Sequence, residues 1–243
     1  MKRINSLLAL FCIILCPLLQ SCKKDKAEKA EDPPPAPMAA YDFDNDWLKN
    51  SMSPLLNGAA VGNLSSTTDS FNTPYAALQF SGDGYVKVKD SDLLDFVGNQ
   101  FTITAWIRPV ETQAAYIIIK SEDANHNSPY SLDIFPGVVR AFIRTNTKEQ
   151  FLIEGKSPII KGVWQHIAVT FTGEQLTIYY NGKNEGSVMV DRPLSISSGD
   201  LAIGASEEYF PSVSFVGRID NVRIYDKGLT TAQIKNIYQN YKQ

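Results

Sequence analysis

A long series of short strand-like runs, separated by turn residues, constrains the fold of this chain more than any other feature of its sequence. The runs are rich in β-branched and aromatic residues, which favour strands, and glycine, proline and asparagine between them favour turns. We predict strands at residues 39–43, 76–80, 85–89, 101–108, 116–120, 130–135, 138–144, 151–153, 164–172, 175–180, 185–190, 201–204 and 214–225. Because a sheet must bury one face, so many short strands indicate two packed antiparallel sheets.

Turn signals support this interpretation. Glycine or proline pairs at residues 82–84 and at Pro136-Gly137 predict turns between strands. The Asn181-Gly182 pair lies between two strand-like runs, and both residues tolerate the positive φ that a type I′ turn requires. We therefore predict a tight hairpin at residues 175–190.

One helix is predicted, at the end of the chain. Thr230 and Gln233 have the spacing of a capping box, in which each side chain bonds the backbone of the other residue. An apolar stripe follows at Ile234, Ile237, Tyr238 and Tyr241. The helix is expected to pack against the sandwich or to cover a sheet edge.

The run at residues 217–225 places a carboxylate in an apolar strand. Side chains alternate along a strand, so Asp220 is expected to face the same side as Val222 and Ile224. A buried carboxylate needs a cation, an arginine or several hydrogen-bond donors beside it. Two explanations stay open at this point: a bound metal ion, or an edge position from which the carboxylate reaches water or Arg218.

The N-terminus predicts export. Lys2 and Arg3 precede an apolar run at residues 7–19 that is too short for an ordinary membrane-spanning helix. The run ends in Leu-Gln-Ser-Cys at residues 19–22, which resembles the bacterial lipobox. This resemblance implies a lipoprotein signal peptide at residues 1–21 and lipidation of Cys22, although an ordinary cleaved signal remains an alternative.

The mature chain would then have Cys22 as its only cysteine, because the other two of the three lie in the signal. This excludes a disulfide and any thiol-based site. Residues 22–38 are charged and proline-rich, and are predicted to be a flexible tether. Lysines and acids after the lipidated cysteine are similar to surface-export signals of Gram-negative lipoproteins, so we expect an outer-membrane lipoprotein exposed at the cell surface.

Charge excludes one class of partner. Removing residues 1–21 takes away Lys2 and Arg3 and no acidic residue, so the formal net charge of −3 becomes −5. A mildly acidic chain without a basic cluster is not expected to bind nucleic acid. Contact with a membrane is expected only through the lipid anchor.

The order of several motifs resembles the laminin-G-like, concanavalin A-like jelly-roll domains over about residues 40–240. The resemblance is carried by the motifs at residues 41–44, 78–88, 101–109, 164–171, 178–183 and 201–204, and by the final residues 229–234. It implies that residues 39–243 form an all-β, two-sheet antiparallel jelly-roll sandwich with a short C-terminal helix, in a Bacteroidetes-like lipoprotein.

The same resemblance implies a structural calcium ion near a sheet edge. By motif, its ligands would be Asp44, the Asn57-Gly58 region and Asp220, and hard oxygen ligands favour calcium over zinc or copper. The loop at residues 50–58 lacks the family's usual glycine-asparagine run. The acidic run at residues 42–46 is not an EF-hand, because Trp47 replaces the required glycine.

Catalysis is not expected. Glucanases of this superfamily carry Glu-x-Asp-x-x-Glu on one strand, and this sequence contains no such motif. The nearest imitation, at residues 90–95, is expected to be a solvated loop. Trp106 and Trp164 are assigned to packing, and His126 and His166 are too isolated for a metal or triad site.

The predicted function is therefore a surface-tethered, non-catalytic module that binds a glycan or a host or matrix protein. The alternatives are a polysaccharide-degrading glycoside hydrolase and a purely architectural subunit of a surface complex. Glu207, Tyr209 and Phe210 form the best candidate for a binding loop, since they combine a carboxylate with two aromatic rings. An ordinary loop held by one buried aromatic has the same composition, and is the more usual explanation.

Overall fold

The computed structural model describes residues 33–44, 48–121 and 127–241. The predicted signal peptide at 1–21, the lipidation site at Cys22 and most of the tether lie outside these residues. The described strands are β1 (Ala39–Tyr41), β2 (Gly58–Thr67), β3 (Ala77–Val88), β4 (Phe101–Pro109), β5 (Ala115–Lys120), β6 (Tyr130–Ile134), β7 (Val138–Arg144), β8 (Gln150–Pro158), β9 (Gln165–Phe171), β10 (Gln175–Tyr180), β11 (Lys183–Met189), β12 (Leu201–Ile203) and β13 (Val216–Tyr225). One α-helix, α1 (Thr231–Gln239), follows.

All strand pairs are antiparallel, as predicted. The hydrogen-bonded order is β11-β10-β9-β4-β13-β3-β12-β5-β6-β7-β8, with β1 added to β13 and β2 added to β3. Strand β3 joins two layers, because its first half pairs with β13 and its second half with β12. The first sheet therefore runs from β11 to β13, and the second from β12 to β8. This arrangement confirms the all-β, jelly-roll-like sandwich.

The core lies between the two sheets. A cluster of aromatic rings links them: Phe101 of β4 lies 5.2 Å from Tyr130 of β6 and 5.9 Å from Phe171 of β9, measured between ring centroids. All three side chains are fully buried. Aromatic pairs at such distances add to the free energy gained from burying their large apolar surfaces, so this cluster holds the layers together.

The predicted turn at residues 82–84 is wrong, and strand β2 was not predicted at all. Strand β3 continues through Gly82, whose φ of +89° lets the chain bend as it passes from one sheet to the other. Strand β2 pairs along the whole of β3, with a bulge between Gly62 and Leu64. Its glycine, alanine and serine residues have low strand propensity, so long-range pairing decides its structure.

The expected orientation of Asp220 is also wrong. Strand β13 has a bulge after Asp220, where Asn221 adopts a φ of +49°. The extra residue keeps Ile219 and Val222 in the core, while Asp220 lies opposite Trp106 on the outer face of the first sheet. Simple alternation cannot anticipate this, because the bulge shifts the faces by one residue.

The hairpin turn and the helix start that were predicted from local sequence are both confirmed. Asn181 and Gly182 have φ values of +47° and +73° and connect β10 to β11. Helix α1 begins with the predicted capping box between Thr230 and Gln233. Among the described residues, no helix is long and apolar enough to cross a membrane.

The helix and the residues after it cover the outer face of the first sheet. The Trp106 ring stacks on Tyr241 at 4.5 Å and on Tyr238 at 5.6 Å, which confirms its packing role. His166 lies beside Trp106 in the same layer and is fully buried. Neither ring nitrogen of His166 has a hydrogen-bond partner among the described residues, and burial lowers its pKa to about 3.

Candidate functional site

The outer face of the second sheet is rich in aromatic and charged side chains. On β7, Val139, Ala141 and Ile143 point into the core, so Arg140 and Phe142 lie on the opposite face. The same face carries Tyr85, Tyr116, Ile119, Asp133 and Ala202 from the neighbouring strands. No helix covers this face in the described part of the chain, in contrast to the first sheet.

A loop after β12, at residues 206–213, folds over this face instead. Tyr85 donates a hydrogen bond from its hydroxyl to Glu207 Oε1 at 3.2 Å, and Lys87 Nζ lies 2.7 Å from the same oxygen. The Phe210 ring packs on Tyr85, with 5.3 Å between centroids. These contacts attach the loop to strand β3 at Glu207 and at Phe210.

Tyr209 lies between those attachment points and is directed toward the open face. Its side chain remains 50% exposed. Together with Tyr116 and Arg140, Tyr209 lines two adjacent cavities of about 200 and 190 Å³. We call this paired cavity the groove; its lining includes Tyr116, Asp133, Phe135, Arg140, Glu208 and Tyr209.

An ion pair is built into the floor of the groove. Arg140 Nε donates a hydrogen bond to Asp133 Oδ1 at 2.7 Å, and the Ser131 hydroxyl donates to Asp133 Oδ2 at 2.7 Å. The guanidinium carbon of Arg140 also lies 4.1 Å from the centre of the Phe135 ring. These contacts hold a planar set of hydrogen-bond donors in one orientation.

Burial raises the pKa values of two groups in the groove, Asp133 and Tyr116. Desolvation raises the pKa of Asp133, although Arg140 and Ser131 oppose this shift. Burial is also the main cause that raises the pKa of Tyr116 to about 12. At neutral pH the Tyr116 hydroxyl therefore keeps its proton and can both donate and accept a hydrogen bond.

The charges under the loop are paired. Lys87 bridges Glu207 and Asp200, at 2.7 and 2.9 Å. Its hydrogen bond to Glu207 is the largest of the causes that raise the Lys87 pKa. Glu207 and Phe210 therefore hold the loop in place, whereas Glu208, Tyr209 and Val213 are the loop residues that line the groove.

A larger cavity, of about 830 Å³, lies elsewhere, between Asn99, Glu149 and Arg192. Arg192 lies 3.7 Å from Glu149 and 3.5 Å from Asp191, so these three charged groups are already paired with one another. Phe151, the aromatic residue in its lining, packs against the core. This cavity offers no exposed aromatic ring, unlike the groove.

The predicted metal ligands do not form one cluster of carboxylates. Asp44 is exposed and lines a cavity with Asp42 and Asn221, and Arg223 pairs with Asp42 there. Asp220 is fully buried; it accepts hydrogen bonds from the Tyr241 hydroxyl and, at 2.6 Å, from the Asn221 amide. These two donors supply part of the compensation that a buried carboxylate needs.

The Asn57-Gly58 region is engaged in backbone contacts. Asn57 Oδ1 accepts a hydrogen bond from the Asn50 amide at 2.9 Å, and the Gly58 amide donates to the Leu48 carbonyl at 2.7 Å. Within residues 33–44, 48–121 and 127–241, no group of three or more His, Cys, Asp or Glu side chains is placed to hold a metal ion.

The acidic run at residues 90–95 lies partly in a short 3-10 helix, Asp92–Asp95. Asp90 forms an ion pair with Lys120, whose side chain is fully buried. The expectation of a wholly solvated loop is therefore wrong at Asp90. This pair anchors the loop to strand β5, since a buried lysine requires a counterion.

A family model described as "Concanavalin A-like lectin/glucanases superfamily", of the Laminin_G_3 type, matches residues 80–235. The chain belongs to this superfamily. The match covers both sheets and most of helix α1, and it agrees with the observed sandwich. No curated protein sequence matches the chain.

Solved structures share the concanavalin A-like fold at low sequence identity. Domain 4 of AbnA, a GH43 extracellular arabinanase from Geobacillus stearothermophilus solved in complex with arabinotriose, has a TM-score of 0.64 and 20% identity, over 84% of this chain and 98% of that one. The binding domain of Paraclostridial Mosquitocidal Protein 1 has a TM-score of 0.67 and 14% identity, over 85% and 52%. The botulinum neurotoxin serotype G binding domain has a TM-score of 0.64 and 13% identity, over 84% and 50%, so this chain spans about half of each toxin domain.

Sequence reasoning named Tyr209 as a candidate binding residue but named none of the strand residues that line the groove in this concanavalin A-like domain. Tyr116, Asp133 and Arg140 carry no local motif, and each looks like an ordinary outward residue of a strand. One sequence signal could have pointed to them: by strand alternation, each lies on the face opposite the core residues of its own strand. That signal says nothing about which outward residues the loop will approach.

Proposed function

We propose that this protein is a non-catalytic module that binds carbohydrate in the groove. The half-exposed Tyr209 ring, held over two small cavities beside the Arg140–Asp133 pair, is the observation that carries the proposal. The C–H face of a sugar ring packs on an aromatic ring, and oriented charged groups hydrogen-bond its hydroxyls. The groove supplies both kinds of contact within one site.

Two structural relatives agree with this proposal in different ways. Domain 4 of the Geobacillus arabinanase was solved with arabinotriose bound, which supports a glycan as the ligand. The mosquitocidal protein's domain is described as a binding domain, which supports a binding role without naming the ligand. An extracellular protein as ligand is therefore the outcome expected if glycans do not bind.

The groove favours binding over hydrolysis. A glycosidase needs two carboxyl groups, one that protonates the leaving group and one that acts as nucleophile or base. In the groove, Asp133 is paired with Arg140 and Ser131, and Glu208 accepts a hydrogen bond from Ser206. These contacts engage both carboxylates with neighbouring side chains. Reducing-sugar release from a bound polysaccharide would overturn the non-catalytic assignment.

Replacing Tyr209 by alanine should weaken glycan binding at least about tenfold, since an aromatic anchor at the centre of a site contributes more than about 1.4 kcal/mol. The measurement is binding of the full-length protein, solubilised in detergent, to a glycan array, followed by titration of the best glycan. Tyr75→Ala is the matched control, because Tyr75 is 65% exposed and does not line the groove.

Equal affinities of the wild-type and Tyr209→Ala proteins would place the binding site elsewhere. Absence of binding to every glycan on the array would contradict the proposed function and favour a protein ligand or an architectural role. A pull-down with extracellular proteins then separates these two alternatives.

We further propose that this protein is displayed at the cell surface of an outer membrane. This proposal rests on the charged and apolar segments before residue 20, the lipobox-like residues 19–22 and the charged tether, all of which are features of the sequence.

A structural calcium ion held through Asp44 and Asp220 also remains part of the proposal. The residues fit this ion in part: Asp44 is exposed beside Asp42, whereas both Asp220 oxygens already accept hydrogen bonds. A bound calcium ion would be coordinated by oxygens of Asp44 and Asp220, and would thereby link the segment after the first strand to the last strand.

Adding calcium to chelator-treated protein should raise the thermal midpoint by several degrees. A ligand at about one hundred times its Kd stabilises the native state by about 2.7 kcal/mol, which corresponds to about 5–10 °C for a domain of this size. Differential scanning calorimetry of the wild type and of Asp44→Asn measures the effect, and the variant should lose most of it. Identical midpoints with and without calcium would contradict the ion.

A further inference from the structure

The groove consists of two cavities that differ in chemistry, and this difference defines the glycan further. The following inference rests on the proposed function. The cavities share Tyr116, Arg140 and Tyr209, which form the boundary between them. Each has a volume of about 200 Å³ or slightly less, below the range of about 300–1,000 Å³ typical of a pocket for a drug-sized ligand. Each cavity is therefore suited to one sugar ring, and the pair to two.

One cavity is lined mainly by apolar groups. Apart from the paired Asp133 and Arg140, and apart from the shared aromatic rings, its lining consists of Ala114, Ala115, Ile134, Phe135 and Val213. Arg140 Nε is engaged by Asp133 and the guanidinium lies over the Phe135 ring, so the terminal N–H groups of Arg140 are the main charged donors that this cavity offers to sugar hydroxyls. The rest of the lining is apolar, so an unsubstituted, hydroxyl-rich ring placed here would lose water from more hydroxyls than these groups can bond, which is unfavourable.

The other cavity is polar. Its lining includes Ile119 and Phe142 and adds Ser128, Arg144, Gln150 and Glu208. Gln150 and Glu208 are exposed at its rim, and Arg144 lies beside Gln150 at 3.5 Å. Amide, guanidinium and carboxylate groups together can both donate to and accept from hydroxyls on neighbouring carbons.

We infer that the groove binds two consecutive sugar residues of an oligosaccharide, one bearing an apolar substituent such as an acetamido methyl or a 6-deoxy methyl group, and its neighbour unsubstituted. The substituted ring occupies the cavity beside Phe135, and the unsubstituted ring occupies the cavity beside Gln150. The Tyr209 ring covers the linkage between them. Recognition therefore requires a disaccharide unit rather than a single sugar.

Titration calorimetry with defined sugars tests this inference. The probes are N-acetyllactosamine, lacto-N-biose and α-fucosyl-galactose, compared with lactose as the matched disaccharide without the apolar group, and with galactose, N-acetylglucosamine and fucose alone. At least one substituted disaccharide should bind the full-length protein tenfold or more tightly than lactose and than either of its component monosaccharides.

Two variants assign the cavities. Phe135 is 39% exposed, so Phe135→Ala should leave the fold intact while it reduces the preference for the substituted disaccharide over lactose. Gln150→Ala should weaken both disaccharides by a similar factor and keep that preference. Circular dichroism of both variants confirms that they are folded.

The contradicting results are distinct. Equal affinity for substituted disaccharides and lactose, or for a disaccharide and its monosaccharides, would overturn the two-cavity assignment while the proposed function stands. The two-cavity assignment would also be overturned if none of these disaccharides bound while a uniform, unsubstituted glycan on the array did. Failure of every glycan would overturn both.

Discussion

Replacing Gly204 by alanine should lower the free energy of unfolding by about 3 kcal/mol or more, and should lower the thermal midpoint by about 10 °C. Gly204 follows β12 at a φ of +92°, and an added Cβ would lie 2.3 Å from the Phe80 ring. Phe80 is fully buried against Phe215, so its ring cannot move away without disturbing the core.

Gly137→Ala is the matched control. Gly137 also has positive φ, at +78°, but an added Cβ meets nothing within 4 Å. Its cost should therefore be the backbone strain alone, about 1–2 kcal/mol. Urea unfolding of the two variants separates strain from overpacking, and equal losses would show that the Phe80 contact contributes nothing.

His166 should make the protein sensitive to mild acid. Burial lowers its pKa to about 3 in the folded protein, whereas the unfolded chain has the ordinary value near 6.5. Between these pH values the unfolded state binds more protons than the folded state. The contribution of neutral His166 to the free energy of unfolding is therefore fully present above about pH 6.5 and is lost as the pH falls. The expected slope approaches about 1.4 kcal/mol for each pH unit below 6.

The test is the free energy of unfolding in urea at pH 7 and at pH 5, for the wild type and for His166→Phe. Phenylalanine keeps a ring beside Trp106 and Tyr238 but cannot be protonated. The variant should lose about 2 kcal/mol less than the wild type between these pH values. Carboxylates such as Asp133 and Asp200 titrate in both proteins, so the difference isolates His166. Parallel pH profiles would mean that His166 is not buried in its neutral form.

Local sequence predicted those elements that local interactions stabilise. The hairpin at Asn181-Gly182 and the capping box of α1 depend on residues a few positions apart, and both are observed. Strand β2 could not be predicted in this way, because Ala59, Ala60 and the serines that follow have low strand propensity and pair only because β3 lies beside them.

Asp220 shows a second limit. Its need for compensation followed from burial and charge, and the structure places the Tyr241 hydroxyl and the Asn221 amide on its oxygens. The orientation of the Asp220 side chain could not be predicted from strand alternation, since the bulge at Asn221 moves this side chain from the core face to the outer face. Tyr241 lies after the helix, and only tertiary packing brings it to this strand.

The sequence by itself determined the all-β sandwich, the antiparallel pairing, the superfamily and the loop that contains Tyr209, because these depend on periodicity, turn residues and motif order. The tertiary structure alone decided the groove. Tyr116, Arg140 and Tyr209 are separated by many residues along the chain, and they meet because β5, β6 and β7 pair in one register while the loop after β12 is tied to Tyr85 and Lys87. Strand register and loop attachment are long-range properties, so the composition of a binding surface built from outward residues cannot be read from any single segment.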